Sequence, residues 1–196
     1  MADSSVKVAV RVRPFNNREK QEGAVLCVEM QGKMTRVYSP ELEKKFFFDY
    51  SYWSHDSFVE DPNTGMMVPD SSSSIYADQL KVYNDLGVGV LNNAFEGYHC
   101  CLFAYGQTGS GKSYSMVGYG KNKGIIPIVC EEIFKRIEAV ESKNLRCEVT
   151  ASMLEIYNEQ IQDLLKPPSE RVKGGLKIRE DPKQGVYVQD LSLIHI

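Results

Sequence analysis

Gly106-Gln107-Thr108-Gly109-Ser110-Gly111-Lys112-Ser113 has the spacing G-x-x-x-x-G-K-[ST], and each fixed residue type answers a demand of phosphate chemistry. Glycines at 106, 109 and 111 let the backbone turn tightly and bring its N–H groups close to phosphate oxygens. Those amides, with the positive end of a helix starting near Lys112, form a site for a polyanion. The Lys112 ammonium is placed to reach β- and γ-phosphates, and the Ser113 hydroxyl to ligate Mg²⁺. The implied chemistry is binding of a nucleoside triphosphate. Hydrolysis needs more: an acidic residue that organises Mg²⁺ and a group that positions the attacking water. No Asp in the chain opens a D-x-x-G. Asp190 follows Val186-Tyr187-Val188-Gln189, but Gln189 breaks the apolar run, so Asp190 reads as a surface carboxylate rather than a magnesium ligand. Glu155 and Glu159 read as structural.

The elements that must hold this loop are legible on both sides of it. Cys100-Cys101-Leu102-Phe103-Ala104-Tyr105 is continuously apolar, the pattern of a strand buried on both faces of a parallel sheet. Cys100 and Cys101 are accordingly expected to be buried thiols. A helix is predicted from Lys112, interrupted by the glycine-rich stretch Gly118 to Gly124. It resumes with Ile126, Val129, Ile133, Ile137 and Val140 along one face. Earlier, Val6, Val8, Val10 and Val12 alternate into Pro14, which predicts a strand. Short strands are expected around Leu26-Cys27-Val28 and Arg36-Val37-Tyr38. Phe46 to Trp53 reads as one aromatic-rich strand packed in a core. Ser54 to Ala77, with Pro62, Gly65, Pro69 and four serines at 71–74, reads as a solvated surface loop. Residues 78–95 predict a helix, Arg146 to Tyr157 a strand, and Leu176–Arg179 with Val186–Val188 a strand pair. Strand and helix signals alternate, so the class is α/β.

Composition sets the outer limits. The 196 residues suffice for one domain core, and 42% hydrophobic with 25% charged residues is ordinary for a soluble protein. A net charge of −3 gives no general affinity for nucleic acid or anionic membrane. No apolar stretch approaches the roughly 20 residues that span a bilayer. The start, Met1-Ala2-Asp3-Ser4-Ser5, has no signal-peptide apolar region, which predicts a cytoplasmic protein. Five cysteines without C-x-x-C spacing, and three unclustered histidines, predict neither disulfide framework nor zinc site.

The run Phe103 to Tyr114 resembles the phosphate loop of kinesins. Three further matches follow the same order. Val8-Ala9-Val10-Arg11-Val12-Arg13-Pro14 resembles the opening strand with its R-x-R-P ending. Gly124-Ile125-Ile126-Pro127 resembles the return into the helix after the loop. Glu155-Ile156-Tyr157-Asn158-Glu159 with Asp163-Leu164-Leu165 resembles a later strand signature. The resemblance covers residues 5–191 and implies the ATP-binding half of a kinesin motor domain, a P-loop NTPase-type mixed sheet flanked by helices. Phe48 to Ser54 and Ala94 to Tyr98 resemble the third, vesicle-transporting class. The resemblance further implies ATP with Mg²⁺ as ligands, Arg11 and Pro14 packed on adenine with Tyr114 nearby, and microtubules as partner. It implies a variable loop beside the nucleotide at Gly118 to Gly124, a tubulin-touching loop at Glu180 to Asp190, a cytoskeletal location, and cargo borne by a tail outside this chain.

The departures are specific. The family's N-x-x-S-S-R-S-H and D-L-A-G-S-E segments do not occur, so this fragment is expected to be inactive alone. Strands flanking Cys100 to Tyr105 in kinesins come from the second half of the domain; without them that segment should expose its apolar side chains. Ser192 to Ile196 departs from the family pattern and reads as an atypical tail of cloning or assembly origin, so His195 receives no role. Two other readings stand beside a motor: a non-motile nucleotide-dependent microtubule-binding module, and an unrelated phosphate-loop enzyme such as a small-molecule kinase.

Overall fold

The β-branched alternation before Pro14 produces β1 (Ala9–Val12), shorter than the Val6–Val12 run that predicts it. In the computed structural model, which describes residues 6–140, 146–183 and 185–195, β1 pairs in parallel with β5 (Tyr50–Trp53). Between them lie a short helix α1 (Asn17–Gln21) and a three-stranded antiparallel sheet, β2 (Val28–Gln31), β3 (Met34–Tyr38) and β4 (Glu43–Phe47). The single aromatic strand expected over Phe46 to Trp53 is therefore two strands. The Phe48 amide donates to Lys33 O at 3.0 Å and the Asp49 amide to Val8 O at 2.9 Å. The chain thus changes partners between these two residues.

The stretch expected to be pure loop carries a hairpin, β6 (Phe58–Glu60) with β7 (Met67–Pro69). Its turn is closed by the Asp61 carboxylate, which accepts from the Asn63 amide at 2.9 Å and the Thr64 amide at 2.8 Å. The helix predicted over 78–95 is present as α2 (Gln79–Val82), one π-helical turn (Tyr83–Gly87) and α3 (Val88–Phe95). Asp78 caps it, accepting from the Lys81 amide at 2.7 Å. Gly87 survives inside this helix for a packing reason: a Cβ there would stand 2.5 Å from the Tyr83 ring.

Tyr52, Ala77, Val82, Tyr83 and Ile125 form the buried core, with Ala9, Leu102, Met116 and Val129 packed against it. It is fed by α4 (Lys112–Met116), by a two-residue hairpin β8 (Gly118–Tyr119) and β9 (Asn122–Lys123), and by α5 (Ile125–Glu138). The interruption expected at 118–124 is this hairpin. From α5, Arg136 donates to Asn92 Oδ1 on α3 at 2.8 Å and lies over the Phe95 ring.

The strand expected over Cys100 to Tyr105 does not form. Among the described residues this segment pairs with no strand; Phe103 is 80% and Tyr105 96% exposed, and only Leu102 reaches the core. A central strand exists only by virtue of its ladder neighbours, and none is supplied here. For the same reason Cys100 and Cys101 are exposed rather than buried thiols.

Met1–Ala139 and Val140–Ile196 are separate units. In the second, the strand expected over Arg146 to Tyr157 is broken into β10 (Thr150–Ala151) and β11 (Leu154–Tyr157). β11 turns back through Asn158 and Glu159, both at positive φ, onto β12 (Gln160–Asp163), a tight two-residue hairpin. The predicted strand pair is present as β13 (Ile178–Asp181) and β14 (Gly185–Val188). Finally, β15 (Ile194–His195) pairs with β10. Ile161 and Asp163 are buried, and Asp163 accepts from the amides of Leu165 and Ser192, each at 2.9 Å.

Candidate nucleotide site

The glycine-rich stretch is a loop whose shape only glycine supports at its corners: φ is 150° at Gly106, 79° at Gly109 and 102° at Gly111. At Gly106 the space is also taken, since a Cβ would meet Ser110 Oγ at 2.5 Å. Within the loop, the Ser110 amide donates to Gln107 O at 3.1 Å. Gly111, in the left-handed region, stands at the N-cap of α4, and its carbonyl accepts from the Ser115 amide at 3.0 Å. Lys112 folds back over the loop, its Nζ donating to Gly106 O at 2.6 Å and Gln107 O at 2.9 Å. Gln107, Thr108, Gly109 and Ser113 are exposed, and Ser113 stands in the first turn of α4. A turned, open loop with a lysine above it and a helix behind it offers amide donors and a cation at one place. That arrangement suits an anion of several oxygens.

Arg11 is placed differently from a free base-stacking residue. Its guanidinium is half-buried and engaged at all three nitrogens: Nε donates to Ser54 Oγ at 2.8 Å, and Nη1 to Gln79 Oε1 at 2.7 Å and Ser115 Oγ at 3.1 Å. Nη2 donates to Ala77 O at 3.1 Å, and the group lies 5.3 Å from the centre of the Tyr114 ring. Burial pulls its pKa below the ordinary arginine value, opposed first by the nearby Tyr114 hydroxyl. The structure thus brings Arg11 and Tyr114 together, with β1, α2 and α4 joined through one side chain. Pro14 follows on the same strand exit, and its carbonyl accepts from Arg13 Nη1 at 2.7 Å.

Two residues at this site, Gln79 and Glu19, went unremarked in the sequence, and Arg13 was read only as part of the R-x-R-P ending. Gln79, almost wholly buried, accepts from Arg11 and donates through Nε2 to Tyr114 O at 2.7 Å. Arg13 Nε donates to Gly109 O at 2.6 Å, and Glu19 grips the other edge of the Arg13 guanidinium. Glu19 was detectable, because Asn16-x-x-Glu19 spells a capping box. Gln79 carries no such signal.

The carboxylates considered above are not grouped. Asp190 sits in a turn at φ 60°, and Glu155 lies 3.9 Å from Arg171. Among the described residues no cluster of three or more His, Cys, Asp or Glu side chains could hold a metal ion. No described helix is long and apolar enough to cross a membrane.

Loop, lysine and helix define a phosphate-loop protein of α/β type. The kinesin motor domain family matches residues 11–196. Rat kinesin-like protein KIF28 is 50% identical over 193 residues, 97% of this chain and 18% of that protein. Kinesin-related protein 1 of Dictyostelium discoideum is 48% identical over 98% of this chain and 9% of its own length. Human kinesin-like protein KIF1C is 47% identical over all of this chain and 17% of its own. Among solved structures, a KIF14 motor with ADP in complex with a microtubule superposes with TM-score 0.82 at 41% identity, covering 100% of this chain and 51% of that one. A two-heads-bound KIF14 dimer with AMP-PNP on a microtubule gives 0.84 at 41% identity, covering 98% and 50%. The chain belongs to the kinesin motor family, and its fold is the P-loop NTPase-type mixed α/β fold of that motor domain. It spans about half of those solved chains and under a fifth of these curated relatives.

Proposed function

We propose that this chain is the ATP-binding half of a microtubule motor, spanning residues 1–191 with 192–196 as an atypical continuation. The observation that carries the reading is the loop Gly106 to Ser113, turned at three glycines and covered by Lys112, in a chain of the kinesin family. Gly106, Gln107, Thr108, Gly109 and Gly111 wrap the phosphates with backbone amides, Ser110 holds the loop's turn through its own amide, and Lys112 supplies the cation. Mg²⁺, when bound, neutralises charge on the phosphate oxygens; from this chain Ser113 supplies its hydroxyl to that ion. Arg11, Pro14 and Tyr114 flank the adenine. Because all three Arg11 nitrogens donate to protein acceptors, Arg11 acts mainly by supporting the Tyr114 ring and through its flat face.

Hydrolysis and movement belong to the protein extended to the length of its relatives, in which further segments complete the site. Resemblance at Phe48 to Ser54, with KIF1C among the relatives, supports the third kinesin class. Microtubules are the proposed partner and the cytoplasmic cytoskeleton the proposed location; cargo would be carried by a tail outside this chain.

The test is ATP turnover by the extended protein with and without microtubules. Stimulation by microtubules, lost by roughly 100-fold or more in Lys112→Ala, supports the motor. Nucleotide-dependent microtubule binding without turnover would instead identify a non-motile module. Turnover indifferent to microtubules would refute both.

A further inference from the structure

We propose that Glu19 is a positioning residue for the nucleotide loop, acting through the Arg13 guanidinium on the Gly109 carbonyl. This deepens the phosphate-loop reading and rests on it. Arg13 leaves the end of β1 and divides its guanidinium among Glu19, Gly109 and the Pro14 carbonyl. Nη1 donates to Glu19 Oε2 and Nη2 to Glu19 Oε1, both at 2.7 Å, while Nε donates to Gly109 O at 2.6 Å. Two parallel bonds to one carboxylate fix the plane of a guanidinium, and the fixed plane aims Nε at the loop. The peptide so held is the one whose N–H belongs to Ser110, which donates inward to Gln107 O at 3.1 Å. A trans peptide is planar, so holding its carbonyl sets the direction of its amide. The Arg13 stem also flanks the next corner, where a Cβ on Gly111 would lie 3.8 Å from Arg13 Cβ and Cδ.

Glu19 is anchored in turn by the capping box of α1. Its Oε2 accepts from the Asn16 amide at 2.8 Å, and its own amide donates to Asn16 Oδ1 at 2.9 Å. The start of α1 is thus tied to the middle of the loop through two side chains. Releasing Glu19 frees Arg13 to swing and the Gly109–Ser110 peptide to rotate. The loop then holds phosphate less long.

Capping and latching can be separated by mutation. Glu19→Gln keeps a side chain able to cap at this position but removes the charge and one acceptor oxygen. Asn16→Ala removes the cap and leaves the pair with Arg13. The readouts, on the protein extended to full motor length, are the release rate of a fluorescent ADP analogue and the thermal midpoint. Glu19→Gln should speed release roughly two- to fivefold with a fall in the midpoint smaller than that of Asn16→Ala, and Arg13→Lys should do the same. Asn16→Ala should lower the midpoint with release unchanged. Parent-like release in Glu19→Gln, or equal acceleration in both variants, overturns the latch alone. A parent that binds no nucleotide overturns the loop reading and the latch with it.

Discussion

Lys112 and Glu19 are both charged residues near one loop, yet their electrostatics predict different behaviour. Lys112 bonds only to carbonyl oxygens of Gly106 and Gln107, so its charge is uncompensated there and available to an anion. Lys112→Ala should therefore leave helix content unchanged by circular dichroism and weaken ATP affinity at least tenfold by calorimetry. Glu19 is spoken for: the Arg13 pair first, then the Asn16 amide and Arg18, hold its carboxyl down to about 2 from an ordinary 4.5. The sign follows. A depressed carboxylate stabilises the fold above its unfolded value and loses that contribution as pH falls through the folded value. Carbon-13 titration of the Glu19 carboxyl should give a midpoint near 2, moving up toward 4.5 in Arg13→Ala. A midpoint near 4.5 in the parent would contradict the pairing. At this scale the sequence was most readable where the ligand dictates residue type. Gly106, Gly111, Lys112 and Ser113 follow from phosphate chemistry alone. Gln79 does not, because a buried amide that ties three elements follows from their meeting, which no local pattern encodes.

Elements were legible as types and less so as partners. The helix over 78–95 and the pair β13–β14 fall where their patterns predict. Phe46 to Trp53 and Arg146 to Tyr157 each read as one strand and are two. Periodicity records which residues alternate, not which neighbour each half pairs with. β4 joins β3 antiparallel, whereas β5 joins β1 in parallel. Gly87 offers a sharp test at this scale. Glycine to alanine inside a helix ordinarily gains about 1 kcal/mol. Here the added methyl would stand 2.5 Å from Tyr83, a buried core residue. Gly87→Ala should instead cost about 1–3 kcal/mol in urea unfolding of the extended protein. A stabilised variant would show that the Tyr83 ring moves aside freely.

At the scale of the molecule, the segment leading into the loop governs what the 196 residues can do alone. The apolar run Cys100 to Tyr105 reads correctly as material for a buried strand, yet with no ladder partner among the described residues Phe103 and Tyr105 face solvent. Apolar side chains and unpaired backbone groups side by side invite association. The chain expressed as these 196 residues should bind a hydrophobic dye and associate at micromolar concentration. Extending it to the length of its relatives should abolish both. A monomeric, dye-silent 196-residue chain would contradict this.

In the proposed motor the backbone from Gly106 to Ser113, with Lys112, holds the triphosphate. Amide hydrogen exchange of the extended protein, with and without ATP and Mg²⁺, tests it most directly. Slowed exchange concentrated on residues 106–113, and absent in Lys112→Ala, is the predicted result. Nucleotide bound to the parent with exchange in that loop unchanged would contradict it.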